Sequence, residues 1–177
     1  MQDNIIVKPS VEKQFDRFLR QGRVLFFSAP CGFGKTAVAE ALLSSREVLR
    51  LPADSAGSKL PSAEADWQIL LLDDLQDMQE EQDWNALCEL IRACPERRFV
   101  LLSRGAPPGS LMAFQYTGLM TVLEADDLLF DADDVRRLLR LYGVEAAASE
   151  IDGILKESVG YPLGVRSEER RVGKECR

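Results

Sequence analysis

The chain has 177 residues, 29 acidic against 22 basic, a formal net charge of −7 and no histidine. That length suits one domain with a small appendage rather than two full domains. The acidic balance, with Lys and Arg scattered, disfavours direct non-specific binding of nucleic acid. The missing histidine removes every Ser/His or Cys/His nucleophile arrangement. Cysteines at positions 31, 88, 94 and 176 form no Cys-x-x-Cys pair, so zinc-site and disulfide-framework readings fail on spacing. No basic leader segment precedes an apolar block and no apolar run is long enough for a membrane span. A cytoplasmic protein without a membrane partner is the expectation.

In chain order, Ser10 is a candidate cap for a helix that carries Val11, Phe15, Phe18 and Leu19 on one face. Val24-Leu25-Phe26-Phe27 is uninterrupted and bulky, as a parallel strand buried on both faces requires. After a glycine-rich turn, Thr36 through Leu43 has no Gly or Pro and is rich in Ala, Val and Leu, which predicts a helix. The eight residues from Ala29 to Thr36, Ala-Pro-Cys-Gly-Phe-Gly-Lys-Thr, therefore stand between a strand and a helix. They form a P-loop in which Ala29 replaces the first glycine. Backbone N–H groups of Gly32, Phe33 and Gly34 at a helix N-terminus suit anionic oxygens. Lys35 would reach the terminal phosphates and Thr36 would ligate Mg2+. The first helix would then lie beside the nucleotide's base, or simply on the sheet. Cys31 is either a tolerated free position of the motif or a thiol made reactive by the helix N-terminus.

Glu47 to Leu51 is a short strand candidate, and Pro52 to Asp66 reads as a loop. Ile69-Leu70-Leu71-Leu72 then ends in Asp73 and Asp74, two carboxylates at a strand tip that look like a Walker B element. Asp73 takes the metal-holding role and Asp74 the water-orienting one, against the plain alternative that both merely start a turn. Trp84 to Ala93 is the next helix, with Cys88 a small apolar residue on its stripe. Phe99-Val100-Leu101-Leu102 is the next buried strand. Its end, Ser103-Arg104, falls at the edge where open α/β sheets place ligands, so Arg104 is either a γ-phosphate sensor or a surface arginine. Thr121-Val122-Leu123 is a fifth strand candidate. Asp131 caps a helix bearing Val135, Leu138, Leu139 and Tyr142, with Asp134 favouring its dipole. Ser149 is a candidate cap for a last helix closed by Gly160 and Pro162.

Five elements in this order carry a resemblance: Ser28 to Thr36, Leu71-Leu72-Asp73-Asp74, Leu101-Leu102-Ser103-Arg104, Asp127-Leu128-Leu129-Phe130, and Gly160-Tyr161-Pro162-Leu163-Gly164. Together they resemble the ATP-binding domain of the large LuxR-type transcription regulators, the MalT-like group of STAND signalling ATPases. The resemblance runs from about Val7 to Val165. It implies an α/β P-loop NTPase with a parallel five-stranded sheet flanked by helices, followed by the start of a small helical subdomain. The core would occupy residues 1–125 and the helical start 126–165. It further implies ATP or ADP with Mg2+ as ligands, Asp73 on the metal, Arg104 on the γ-phosphate side and Pro162 against the adenine. The activity implied is weak, slow ATP hydrolysis that resets a switch.

In regulators that this chain resembles, ATP and a small-molecule inducer together drive self-association, and a C-terminal helix-turn-helix binds promoter DNA. The inducer and DNA partners would both act through regions outside this chain. Two departures stand out: a short segment before Asp73, and Leu75-Gln76 where the family often has an aromatic residue and histidine. Residues 166–177 are almost wholly polar and look like a translated vector tail. They hold five Lys/Arg and three Asp/Glu, which leaves residues 1–165 at a net charge of −9. The competing reading is a self-standing P-loop ATPase or small kinase. No Arg-rich lid, Asn-Lys-x-Asp or Leu-Ser-Gly-Gly-Gln supports a kinase, GTPase or transporter ATPase.

Overall fold

The computed structural model describes residues 5–52 and 60–165. The tail at 166–177 and the middle of the Pro52 to Asp66 loop, 53–59, lie outside the described residues. Five strands, β1 (Val24–Ser28), β2 (Val48–Pro52), β3 (Ile69–Asp73), β4 (Arg98–Ser103) and β5 (Met120–Glu124), pair in parallel in the order β2-β3-β4-β1-β5. The three inner strands are apolar almost throughout because both faces of the sheet are covered. Phe26, Leu70, Leu72, Phe99 and Leu101 point to one side, where helix α3 (Glu81–Ala93) and short helix α4 (Met112–Tyr116) pack. Leu25, Phe27, Leu71, Val100 and Leu102 point to the other, against α1 (Pro9–Gln21) and α2 (Lys35–Leu43). Phe18 of α1 is fully buried there, and truncating it to Ala would cost about 3–5 kcal/mol.

β4 lies between β1 and β3, with Ser28 of β1 level with Ser103 of β4. That order sets the tip of β4 between the P-loop, which leaves β1, and the paired carboxylates, which end β3.

Beyond β5 the chain turns helical: α5 (Ala125–Leu128), α6 (Ala132–Leu141), α7 (Ala148–Ser158) and a helical stretch at 162–165. Val135, Leu138, Leu139, Ile151, Ile154 and Val165 form a third core cluster, which the N-terminal Ile6 joins. Asp131 caps α6 as the sequence predicts, accepting from the N–H groups of Asp133 and Asp134 at 2.9 Å each. Asp134 returns the bond, accepting from the N–H of Asp131 at 3.2 Å.

Two expected caps are corrected. Ser10 lies inside α1, because Pro9 takes the first helical position with its preset φ and no N–H to satisfy, and Lys8 becomes the cap residue. Ser149 lies inside α7, whose cap residue is Ala147. The Glu150 carboxylate accepts the Ala147 N–H at 2.6 Å and fixes the start earlier than the serine hydroxyl would. The end of α7 is also a residue early: Val159 already has φ +51°, before Gly160 at +73°. A Cβ on Gly160 would lie 2.6 Å from the Phe130 carbonyl oxygen, and the Phe130 N–H donates to Gly160 O at 2.8 Å. This pins the end of α7 to the residues that precede α6.

Candidate functional site

The loop from Ala29 to Gly34 curls over the N-terminus of α2, with Gly32 at φ +84° and Gly34 at φ +77°. Only glycine adopts such angles without strain. Among the described residues, no protein acceptor takes the N–H of Gly32, Phe33 or Gly34. Lys35 folds back across the loop, its ammonium donating to Ala29 O at 2.6 Å and Pro30 O at 3.0 Å. Burial pushes its pKa below the ordinary lysine value, and the Asp73 carboxylate opposes that shift.

Three further segments meet this loop. The Thr36 hydroxyl donates to Asp73 Oδ2 at 2.9 Å, and the other Asp73 oxygen accepts the Asp74 N–H at 2.8 Å. Asp74 has φ +57°, so the chain reverses direction at once and turns its carboxylate toward β4. The Arg104 guanidinium lies 3.6 Å from Asp74 Oδ1, with both side chains more than half exposed, so the pair itself contributes little stability. Gln76 joins the two tips: its amide N–H donates to Asp74 Oδ1 at 2.8 Å, and its carbonyl oxygen accepts the Arg104 N–H at 3.2 Å. Ser103 is buried, and its hydroxyl accepts the Gly105 N–H at 3.2 Å, holding the β4 exit.

The loop from Cys31 onward, Thr36, Asp73, Asp74 and Arg104 line one cavity of about 360 Å³, with Gln76 and Ser103 behind its wall. Its polar end holds Lys35, Thr36, Asp73, Asp74 and Arg104; its apolar end is walled by Ile6, Val11, Val38, Leu128 and Phe130, with Pro162 on the helical side. The N-terminal segment and α1 reach the cavity through Ile6, Lys8 and Val11, while Phe15 and Phe18 of α1 pack on the sheet. Lys8 sits at this wall, donating to Leu129 O and lying 3.8 Å from buried Asp134. Cys31 is exposed in the loop, whereas Cys88 and Cys94 are buried.

The donor set fits Mg2+. A hydroxyl and a carboxylate oxygen 2.9 Å apart are hard ligands, and this ion keeps waters and phosphate oxygens around few protein groups. No group of three or more acidic, Cys or His residues that would suit a protein-only metal cage occurs among the described residues. No helix among them is long and apolar enough to cross a membrane.

Sequence reasoning brought every named site residue to this one cavity region, but it missed Gln76 and Tyr161. Gln76 stands out in the sequence only as a departure from the family pattern, two residues past the paired acids. Tyr161 meets the P-loop across 130 residues of chain: its hydroxyl donates to Cys31 O at 2.9 Å and its ring packs on Phe33 at 5.1 Å between centroids. Beyond the place of Tyr161 in the Gly160 to Gly164 element, the sequence signal was Gly32, whose bare α-carbon leaves room for that ring. A Cβ there would fall 1.8 Å from the Tyr161 oxygen.

No family model matches the chain, and neither does any curated protein sequence. Solved structures do match its fold, that of P-loop ATPase domains. AMPPCP-bound DnaA from Aquifex aeolicus superposes with a TM-score of 0.68 at 16% identity, covering 98% of this chain and 64% of that one. The Thermotoga maritima RuvB Holliday junction branch migration motor gives 0.64 at 17% identity, covering 96% of this chain and 62% of that one. The replication initiator DnaA bound to AMPPCP and single-stranded DNA gives 0.66 at 16% identity, covering 98% of this chain and 64% of that one. The chain spans less than two thirds of the length of these structures. At such identities the likeness concerns the fold: a five-stranded parallel sheet flanked by helices, with the P-loop between strand β1 and its helix.

Proposed function

We propose that this chain is the ATP-binding switch domain of a signalling ATPase of the STAND class, from a LuxR-type, MalT-like transcription regulator. The observation that carries the nucleotide reading is the meeting of Lys35, Thr36, Asp73, Asp74 and Arg104, from strand tips and a helix N-terminus, on one cavity with an apolar far end. A triphosphate with a flat apolar base matches that division of polar and apolar walls. The regulator reading rests on the five motifs in their order, and on Pro162 of the helical segment reaching the same cavity.

In this account the loop amides and the Lys35 ammonium hold the phosphates, while Thr36 and Asp73 hold Mg2+. Held by these two residues, a Mg2+ ion would supply charge neutralisation for the phosphates. Asp74 orients the attacking water and accepts its proton, and Arg104 offsets the charge that develops on the γ-phosphate side. Residues 1–125 serve as the core and 126–165 as the start of a helical subdomain that closes over the base through Pro162. The switch reading is favoured because the wall that Pro162 contributes comes from the helical segment rather than from the core, so nucleotide would contact both parts.

Light scattering of the purified chain with MgATP, with MgADP and without nucleotide tests the switch. The switch reading expects a larger particle with MgATP alone. A monomer in all three, together with brisk steady-state ATP turnover, would favour the self-standing ATPase reading instead.

A further inference from the structure

We propose that Tyr161 is a positioning residue for the phosphate-binding loop: by holding the Cys31 carbonyl, it aims the Gly32 N–H into the anion cradle. The inference rests on the nucleotide reading above and deepens it. Cys31 C=O and Gly32 N–H belong to one peptide unit. That unit is planar and trans, so the two bonds point in opposite directions. A hydroxyl that fixes the carbonyl from outside the loop therefore fixes the amide toward the inside.

The contact is built on three features. The Tyr161 hydroxyl donates to Cys31 O at 2.9 Å, and its ring packs on Phe33 at 5.1 Å and 57°. Gly32 has no Cβ, which at 1.8 Å from the Tyr161 oxygen would expel the ring, and its φ of +84° suits glycine. The Gly32 N–H has no protein acceptor among the described residues, so the amide that this contact orients is free to bind an anion.

The anchor for the loop thus comes from the helical segment rather than from the core. Tyr161 is next in the chain to Gly160, which is tied to Phe130 by the 2.8 Å backbone bond, and the Val165 N–H donates back to Tyr161 O at 2.9 Å. Any movement of the end of α7 therefore reaches the cradle through contacts that include the Tyr161 hydroxyl, the one that holds the Cys31 carbonyl. Phosphate binding and the position of the helical segment become a single equilibrium rather than two.

Calorimetric titration of the chain and of Tyr161→Phe with MgADP and with AMP tests this, alongside the ligand-free melting temperature of each. Phenylalanine keeps the ring on Phe33 and removes only the hydrogen bond. The expected result is an MgADP affinity about five- to tenfold weaker, with AMP affinity and melting temperature unchanged, since the loss is confined to a cradle for the phosphates beyond the first. An unchanged MgADP affinity overturns the role of Tyr161 and leaves the nucleotide reading standing. Equal losses for MgADP and AMP also overturn it, as they would show a residue that only packs the cover. Wild-type protein that binds neither nucleotide removes the nucleotide reading itself, and this proposal with it.

Discussion

Thr36 and Asp73 share a hydrogen bond of 2.9 Å that ties the first turn of α2 to the tip of β3, the two oxygens a divalent ion would take together. Asp74, one residue on, faces the other way, toward Gln76 and Arg104. Adjacent carboxylates thus have separate surroundings, and on that difference rests the proposal that Asp73 holds the metal and Asp74 orients the water.

Asp73→Asn is expected to weaken Mg2+-dependent nucleotide binding, and Asp74→Asn to leave it nearly intact while lowering turnover about 10²-fold or more, the scale of a lost general base. Nucleotide titrations over a range of Mg2+ concentrations, paired with phosphate-release rates, separate the two. A greater Mg2+ dependence on Asp74 would reverse the roles.

Asp134, buried beside Lys8 of the cavity wall, makes stability depend on pH. Burial raises the pKa of this carboxyl above its ordinary 3.8, while the Asp131 N–H, Lys8 at 3.8 Å and Arg137 at 3.6 Å act against the shift. An acid with a raised folded pKa binds more protons in the native than in the unfolded state between the two values. Its contribution to stability therefore falls as pH rises through that window, and the cost persists at neutral pH.

Removing Lys8 leaves that carboxylate with Arg137 as its cation among the described residues, beside the Asp131 N–H. Lys8→Met should destabilise the protein by about 1–3 kcal/mol at neutral pH, and by less in mild acid where Asp134 is protonated. Asp134→Asn keeps an oxygen for the Asp131 N–H and should flatten the acid-to-neutral slope. Thermal melts of the three proteins at mildly acid and neutral pH check this. Equal destabilisation by Lys8→Met at both would contradict the charge argument.

The inner strands and the phosphate loop were legible in the sequence because their causes are local. A run such as Val24 to Phe27 has to be buried on both faces, and Gly32-Phe33-Gly34-Lys35-Thr36 needs only its own backbone to make a cradle. Strand order was not legible, since β4 lies between β1 and β3 through the packing of faces far apart in the chain. The same holds for Gln76, whose partner Arg104 is 28 residues on, and for Tyr161 and Cys31, 130 residues apart. The two misplaced caps have the opposite cause. Ser10 and Ser149 are good local candidates that lost to a better one close by, the ring of Pro9 and the carboxylate of Glu150.

The central claim is that Lys35 and its loop bind the phosphates of a nucleotide, and calorimetry with MgATP on the wild type and Lys35→Ala tests it most directly. Lys35 is the cation that the loop itself carries at the polar end of the cavity. Its removal should weaken binding by about tenfold or more, the scale of a charge-assisted hydrogen bond lost from a phosphate. Equal affinity in the two proteins would contradict the account.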